Sequence, residues 1–256
     1  MYGSCSFAWM NTLYVLGGSN QQRQVSRLEG CHLSRVGNLP FNLKFGTCAT
    51  IDSRAIVACF DTSNKRSQVR ACHITTDPLD TWLALPKSTF NHRGIKIAAT
   101  TSEILAVGSL WPSHAKSETM MGTQWSIEDD YPFSPDISEA AVISKGNHFF
   151  LFGGWSERSS KGFLSALTTI AKFDGITRQW SLVGNMNTPR HGHGVITMNS
   201  NSAFMLVGGV GNVPIEKCTD HGNNVISCED TNASLHNYEH YPALFIVDTD
   251  FCLGQP

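Results

Sequence analysis

The chain has 256 residues, 41% hydrophobic and 16% charged, a composition that supports a folded core and excludes a disordered chain. Its 19 basic and 21 acidic residues leave a formal net charge of −2, with no cationic surplus to track a phosphate backbone, so no nucleic-acid partner is expected. No apolar run reaches the ~20 residues that a membrane-spanning helix needs, and the opening MYGSCSFAWMN lacks the basic flank and apolar stretch of a signal peptide.

Along the chain, an apolar strand ending in a small or glycine pair recurs: TLYVLGG (12–18), RAIVACF (54–60), EILAVGS (103–109), HFFLFGG (148–154) and AFMLVGG (203–209). Gly17, Cys59, Gly108, Gly153 and Gly208 stand at equivalent points, spaced by 42, 49, 45 and 55 residues, a period that marks a repeat architecture. Each strand follows another apolar segment (SCSFAW, GTCATI, GIKIAATT, EAAVIS, GHGVITM) across a short polar connection suited to a hairpin. Two further β-rich pieces follow, clearest in the fourth repeat as LTTIAKFDG and TRQWSLVGN. Four strands per repeat is the pattern of a propeller blade. Trp82, Trp125 and Trp180 fall in the last strand of repeats two to four, where large aromatics fill the space between packed blades. The sequence predicts one all-β domain with repeats at approximately 1–39, 40–86, 87–133, 134–188 and 189–256.

The fifth repeat is irregular. LFIVDTD (244–250) is expected to be its third strand, with EKCTDHGNNVISCED as an inserted hairpin; a second register makes that hairpin the third and fourth strands and leaves LFIVDTD spare.

HFFLFGG, Phe173 and Trp180 in order resemble the kelch-repeat pattern of apolar strand, Gly-Gly pair, aromatic and Trp. Gly17, Gly18, Gly153, Gly154, Gly208, Gly209 and Trp180 are the structural positions this resemblance picks out. Repeats two and three depart from it with Cys59-Phe60 and Gly108-Ser109, and repeats one and five lack the Trp. The resemblance implies a kelch-type β-propeller of six or seven blades, whereas five four-stranded repeats are recognisable. Two accounts stand: an incomplete six-bladed ring whose missing blade and signal peptide lie upstream, or a closed five-bladed ring.

Propeller ligands meet the loops joining second and third strands, and loops on a rigid scaffold concentrate function. Arg23, Arg66, Trp111, His114, Trp155 and Arg158 are candidate contacts there, and Arg190 is a candidate loop-tip cation, because Trp and Arg dominate binding hot spots. His191 and His193 lie two apart, on one strand face, but no third ligand matches, and their segment TPRHGHG is similar to the family's structural lead-in. Glu128-Asp129-Asp130 and Glu229-Asp230 lack the ligand spacing of a calcium loop and are expected to be solvated. No nucleophile elbow, phosphate cradle or zinc-protease motif occurs, and none of the five tyrosines pairs with histidines as a kelch-like copper oxidase would need. No catalytic residue, metal or cofactor is expected.

Eight cysteines without a C-x-x-C pair favour a disulfide-bearing extracellular domain. Cys218 and Cys228 flank the turn-forming HGNN and are expected to bridge a hairpin, and Asn232-Ala233-Ser234 is a glycosylation sequon. The functional expectation is a non-catalytic extracellular module presenting propeller loops to a protein or glycan. The alternative is a cytoplasmic kelch substrate adaptor for ubiquitination, although BTB and BACK domains are absent, with a propeller enzyme third.

Overall fold

The computed structural model describes residues 4–18, 20–43, 46–52, 54–61, 69–90, 92–109, 115–134, 136–156, 165–198, 202–210, 213–234, 242 and 244–245. Among these there is no helix, and the strands form five antiparallel four-stranded units. The first comprises β1 (Cys5–Trp9), β2 (Thr12–Leu16), β3 (Gln24–Glu29) and β4 (His32–Asn38), and the second β5 (Thr47–Ile51), β6 (Ala55–Asp61), β7 (Val69–Thr75) and β8 (Leu83–Ala84). In the third, β9 (Arg93–Ala99), β10 (Glu103–Ser109), β11 (Ala115–Met121) and β12 (Gln124–Ile127) follow the same order. The fourth contains β13 (Ala141–Lys145), β14 (His148–Phe152), β17 (Thr169–Asp174) and β18 (Gln179–Asn185), with a short ladder of β15 (Trp155–Ser156) and β16 (Ser165–Ala166) between its second and third strands. The fifth is β19 (Gly194–Thr197), β20 (Ala203–Val207), β21 (Pro214–Asp220) and β22 (Ile226–Ser234). Parallel pairing of Gly184 and Asn185 with Ile226 and Ser227 joins the last two units into one eight-stranded sheet.

Local sequence explains the hairpins. Met10-Asn11 and Asn223-Asn224 take positive φ at both central residues, the geometry whose twist matches paired antiparallel strands. Packing explains why second strands read as unbroken apolar runs. In β6, Ile56, Ala58 and Phe60 face the core shared with the first unit, while Val57 and Cys59 face the core shared with the third. The same period-2 split puts Phe149 and Leu151 against the third unit and Phe150 and Phe152 against the fifth. First strands lie side by side in succession, β1 by β5, β5 by β9, β9 by β13 and β13 by β19. They therefore line a common hub, from which the other strands radiate in a β-propeller-like arrangement.

In the first, fourth and fifth units a glycine pair holds the turn that leaves the second strand. A Cβ on Gly17, at φ +64°, would stand 2.3 Å from the Leu43 carbonyl oxygen. Trp125 and Trp180 lie in the fourth strands, and Trp82 immediately precedes β8; Trp180 packs 5.1 Å from both Phe173 and Tyr131.

Of the two registers open for the fifth unit, the structure shows the second. The third strand is β21, paired with β20, and the fourth is β22, so the cysteine-bearing hairpin is no insertion. Within LFIVDTD only Leu244 and Phe245 are described. The Leu244 amide donates to Ser6 Oγ at 3.2 Å, and the Leu244 side chain packs on Gly194. Leu244 thus touches both the first and the fifth units.

Among the described residues, three disulfides link strands to one another. Cys5–Cys48 (Cα–Cα 5.7 Å) ties β1 to β5 of the next unit, whereas Cys59–Cys72 and Cys218–Cys228 join facing residues within hairpins. Cys31 is disulfide-bonded as well. Such a set forms and persists in an oxidising compartment.

Candidate functional site at the mouth of the hub

The sequence candidates separate in space. Arg66, Trp111, His114 and Arg158 lie outside the described residues. Arg23 is exposed, and its Nε donates to the Leu39 carbonyl at 2.8 Å, anchoring its own loop. Asn232 is exposed on β22.

Arg190 is no loop-tip cation. Its side chain is fully buried, with Nη2 paired to Glu216, whose carboxylate also accepts from the Asn187 (2.9 Å) and Thr188 (3.0 Å) amides. The lead-in to a first strand turns inward here, so the guanidinium needs an internal anion, and β21 supplies it. The third unit repeats the device with different residues. Buried His92 meets Glu118 of β11 at 2.8 Å, and the Thr89 and Phe90 amides complete the carboxylate's partners. Burial pushes the Glu118 carboxyl up, but hydrogen bonds from His92, Phe90 and Thr89 outweigh it and hold it below the ordinary carboxylate range.

In the acidic clusters Asp129, Asp130, Glu229 and Asp230 are exposed to solvent as expected, whereas Glu128 is partly buried and ties two units together. Glu128 is bound by Arg178, which reaches from the β17–β18 turn to Glu103 as well, tying the fourth unit to the third. Asp130 pairs with Lys116 at 2.9 Å, Glu229 with Lys217 at 3.3 Å, and Asp230 accepts from Asn187 at 3.3 Å. Glu216, Cys218 and Cys228 cluster within 4.8 Å, but both sulfurs are in a disulfide and Glu216 is held by Arg190, so the group does not suit a metal.

A different set of polar residues converges where first strands begin and second strands end. By strand register, Gly94, Glu139 and Gly192 occupy one position, two residues before Lys96, Ala141 and Gly194. All three adopt the left-handed conformation, at φ +57°, +57° and +63°. Glycine does so freely, whereas for glutamate it is strained. The Glu139 carboxylate accepts from His191 Nδ1 at 2.8 Å, and the His191 ring lies 4.1 Å from the half-buried ring of Trp155. Trp155 is fixed by backbone bonds to Ser138, and the Gly154 amide by the Arg190 carbonyl at 3.0 Å.

Beside this pair, His193 is buried with neither ring nitrogen hydrogen-bonded. Burial, with the positive charges of Arg190, Lys96 and His191, holds its pKa well below the ordinary imidazole value, so the ring is neutral. Burial also lowers the Lys96 ammonium to about 8, partly offset by the Glu139 carboxylate. The site therefore offers a carboxylate, an easily deprotonated lysine, two imidazoles and an aromatic face. Sequence reasoning picked out Trp155 and Arg190 and weighed His191 and His193 only as metal ligands; it passed over Lys96 and Glu139. The readable signal was a glutamate where neighbouring repeats have glycine.

This architecture defines an all-β, β-propeller-like protein. The solved structure of YjhT is similar, with a TM-score of 0.68, 10% identity, and coverage of 89% of this chain and 84% of that chain. That likeness speaks to the fold alone. No protein-family model and no curated protein matches the sequence.

Proposed function

We propose that the chain is a kelch-type β-propeller that works as an extracellular, non-catalytic binding module, presenting one face of the ring to a protein or glycan. The observation that carries this reading is the convergence of the half-buried Trp155 with His191 and Glu139 at the end of the hub where the second strands finish and the third begin. An aromatic anchor beside oriented polar groups on a rigid scaffold is the composition of a recognition site. The disulfides support an extracellular setting, and exposed Asn232 is positioned for glycosylation. The seat of Leu244 between the first and fifth units supports a ring with a further position beyond those five.

The test is to secrete the protein from animal cells, screen it against glycan and extracellular-protein arrays, and map the complex by hydrogen–deuterium exchange. Protection is expected at residues 136–139, 154–156 and 190–193. Protection confined to the outer strands β4, β8, β12 and β18 would refute the assignment of the face, and selective binding to ubiquitin-ligase components would favour the adaptor reading instead.

A further inference from the structure

We propose that Glu139, His191, His193, Lys96 and Trp155 form a saccharide-binding subsite at the mouth of the hub. The proposal deepens the binding-module reading and rests on it, committing the site to polyhydroxylated ligands.

Three independent features point there. Glu139 holds a strained left-handed backbone at a position where the third and fifth units use glycine, and strain of this kind persists where a side chain is needed for more than the fold. The residue is also accessible, with its side chain 32% exposed while it orients the His191 ring. His193, two residues on, keeps both nitrogens without a hydrogen-bond partner although only 3% exposed; buried polar atoms in folded proteins are satisfied by protein, water or ligand.

The mixture of groups selects the ligand class. Lys96 and Glu139 carry opposite charges, as do Arg190 and Glu216, and His191 lies against the Glu139 carboxylate, so each cationic group of the site faces a carboxylate and no unscreened charge of one sign is left to select a simple anion or cation. It provides an acceptor in Glu139, a donor in Lys96, and in neutral His193 a ring that both donates and accepts. Hydroxyl groups also do both, and the C–H face of a sugar ring packs against an aromatic such as Trp155. A polyol satisfies all of these at once, whereas a purely apolar ligand would leave the buried nitrogens of His193 unpaired.

The test uses the intact secreted protein and a panel of neutral hexoses, N-acetylhexosamines and their disaccharides, read by saturation-transfer NMR and titration calorimetry, with acetate and phosphate as controls. At least one sugar should bind, and Trp155→Ala should abolish its signal. Glu139→Gly is the diagnostic variant: it restores the residue the backbone prefers, so the melting temperature should hold or rise. Its sugar affinity should nevertheless fall about tenfold or more, the loss expected for a charge-assisted hydrogen bond. A purely structural Glu139 would lose stability without changing affinity. The proposal is overturned if no sugar binds at millimolar concentration, if acetate or phosphate binds in preference, or if Glu139→Gly retains full affinity. Protein binding at the same face without sugar binding would end this inference and leave the binding-module reading standing.

Discussion

At Gly153, φ is +54°, and a Cβ would stand 2.5 Å from Met186 Cε and 2.6 Å from the Arg190 carbonyl oxygen. Two costs coincide, a conformation that L-residues avoid and contact with backbone that cannot recede. Gly153→Val is therefore expected to destabilise the protein by about 3 kcal/mol or more, measured by chemical denaturation. Gly146 has nearly the same φ, +58°, with nothing within 4 Å of its Cβ position, so Gly146→Ala should cost only about 1–2 kcal/mol, the backbone contribution alone. Equal losses at the two sites would contradict the close approach seen at Gly153. His193 makes a second residue-scale prediction. Its folded pKa is depressed by burial and by neighbouring positive charge, so below the unfolded value of about 6.5 the unfolded chain binds the proton that the native state resists. Stability is thus fully present above that pH and falls as the solution is acidified through it. The melting temperature should drop between pH 7.5 and 5.5, and the drop should be shallower in His193→Phe; an unchanged slope would mean that His193 is not held neutral.

The repeated element is a carboxylate on a third strand that receives a buried cation or imidazole from the lead-in of its own unit. Arg190 with Glu216, and His92 with Glu118, place it in the fifth and third units. Removing one partner leaves the other charge buried and uncompensated, so Arg190→Met should cost about 3–5 kcal/mol. The double variant Arg190→Met/Glu216→Leu should be less damaging than the sum of the two single changes, because the two groups answer each other. Strict additivity in denaturant melts would contradict a direct pair. The same pair explains why the fifth unit was hard to read. LFIVDTD has the stronger strand composition, whereas PIEKCTD carries three charges. PIEKCTD nonetheless takes the ladder, because Glu216 finds Arg190 and Cys218 finds Cys228. An interior charge is legible only with its partner, and the partner lies 26 residues away.

Across the whole molecule, the repeat was readable because the second strands bury both faces and, in the first, fourth and fifth units, a glycine pair marks the turn that follows. The four-strand units follow from the same local pattern, and the Cys218–Cys228 bridge was legible because both cysteines belong to one hairpin. Cys5–Cys48 was not, since it depends on β1 and β5 lying side by side around the hub, a relation that no local pattern encodes. The hub site was hidden for the same reason. Glu139, Trp155, His191 and Lys96 come from three separate units, and only their assembly gives Glu139 a histidine and His193 its buried setting. Because Cys5–Cys48 spans neighbouring units, it reports on the ring arrangement as well as on the redox setting. Peptide mapping without reduction, on protein purified from a secreting host with free thiols alkylated first, therefore tests the account most directly. The account predicts cross-linked peptides joining Cys5 to Cys48, Cys59 to Cys72 and Cys218 to Cys228. Recovery of these cysteines as alkylated free thiols, or Cys5 bonded elsewhere, would contradict both the disulfide-stapled hub and the extracellular assignment built on it.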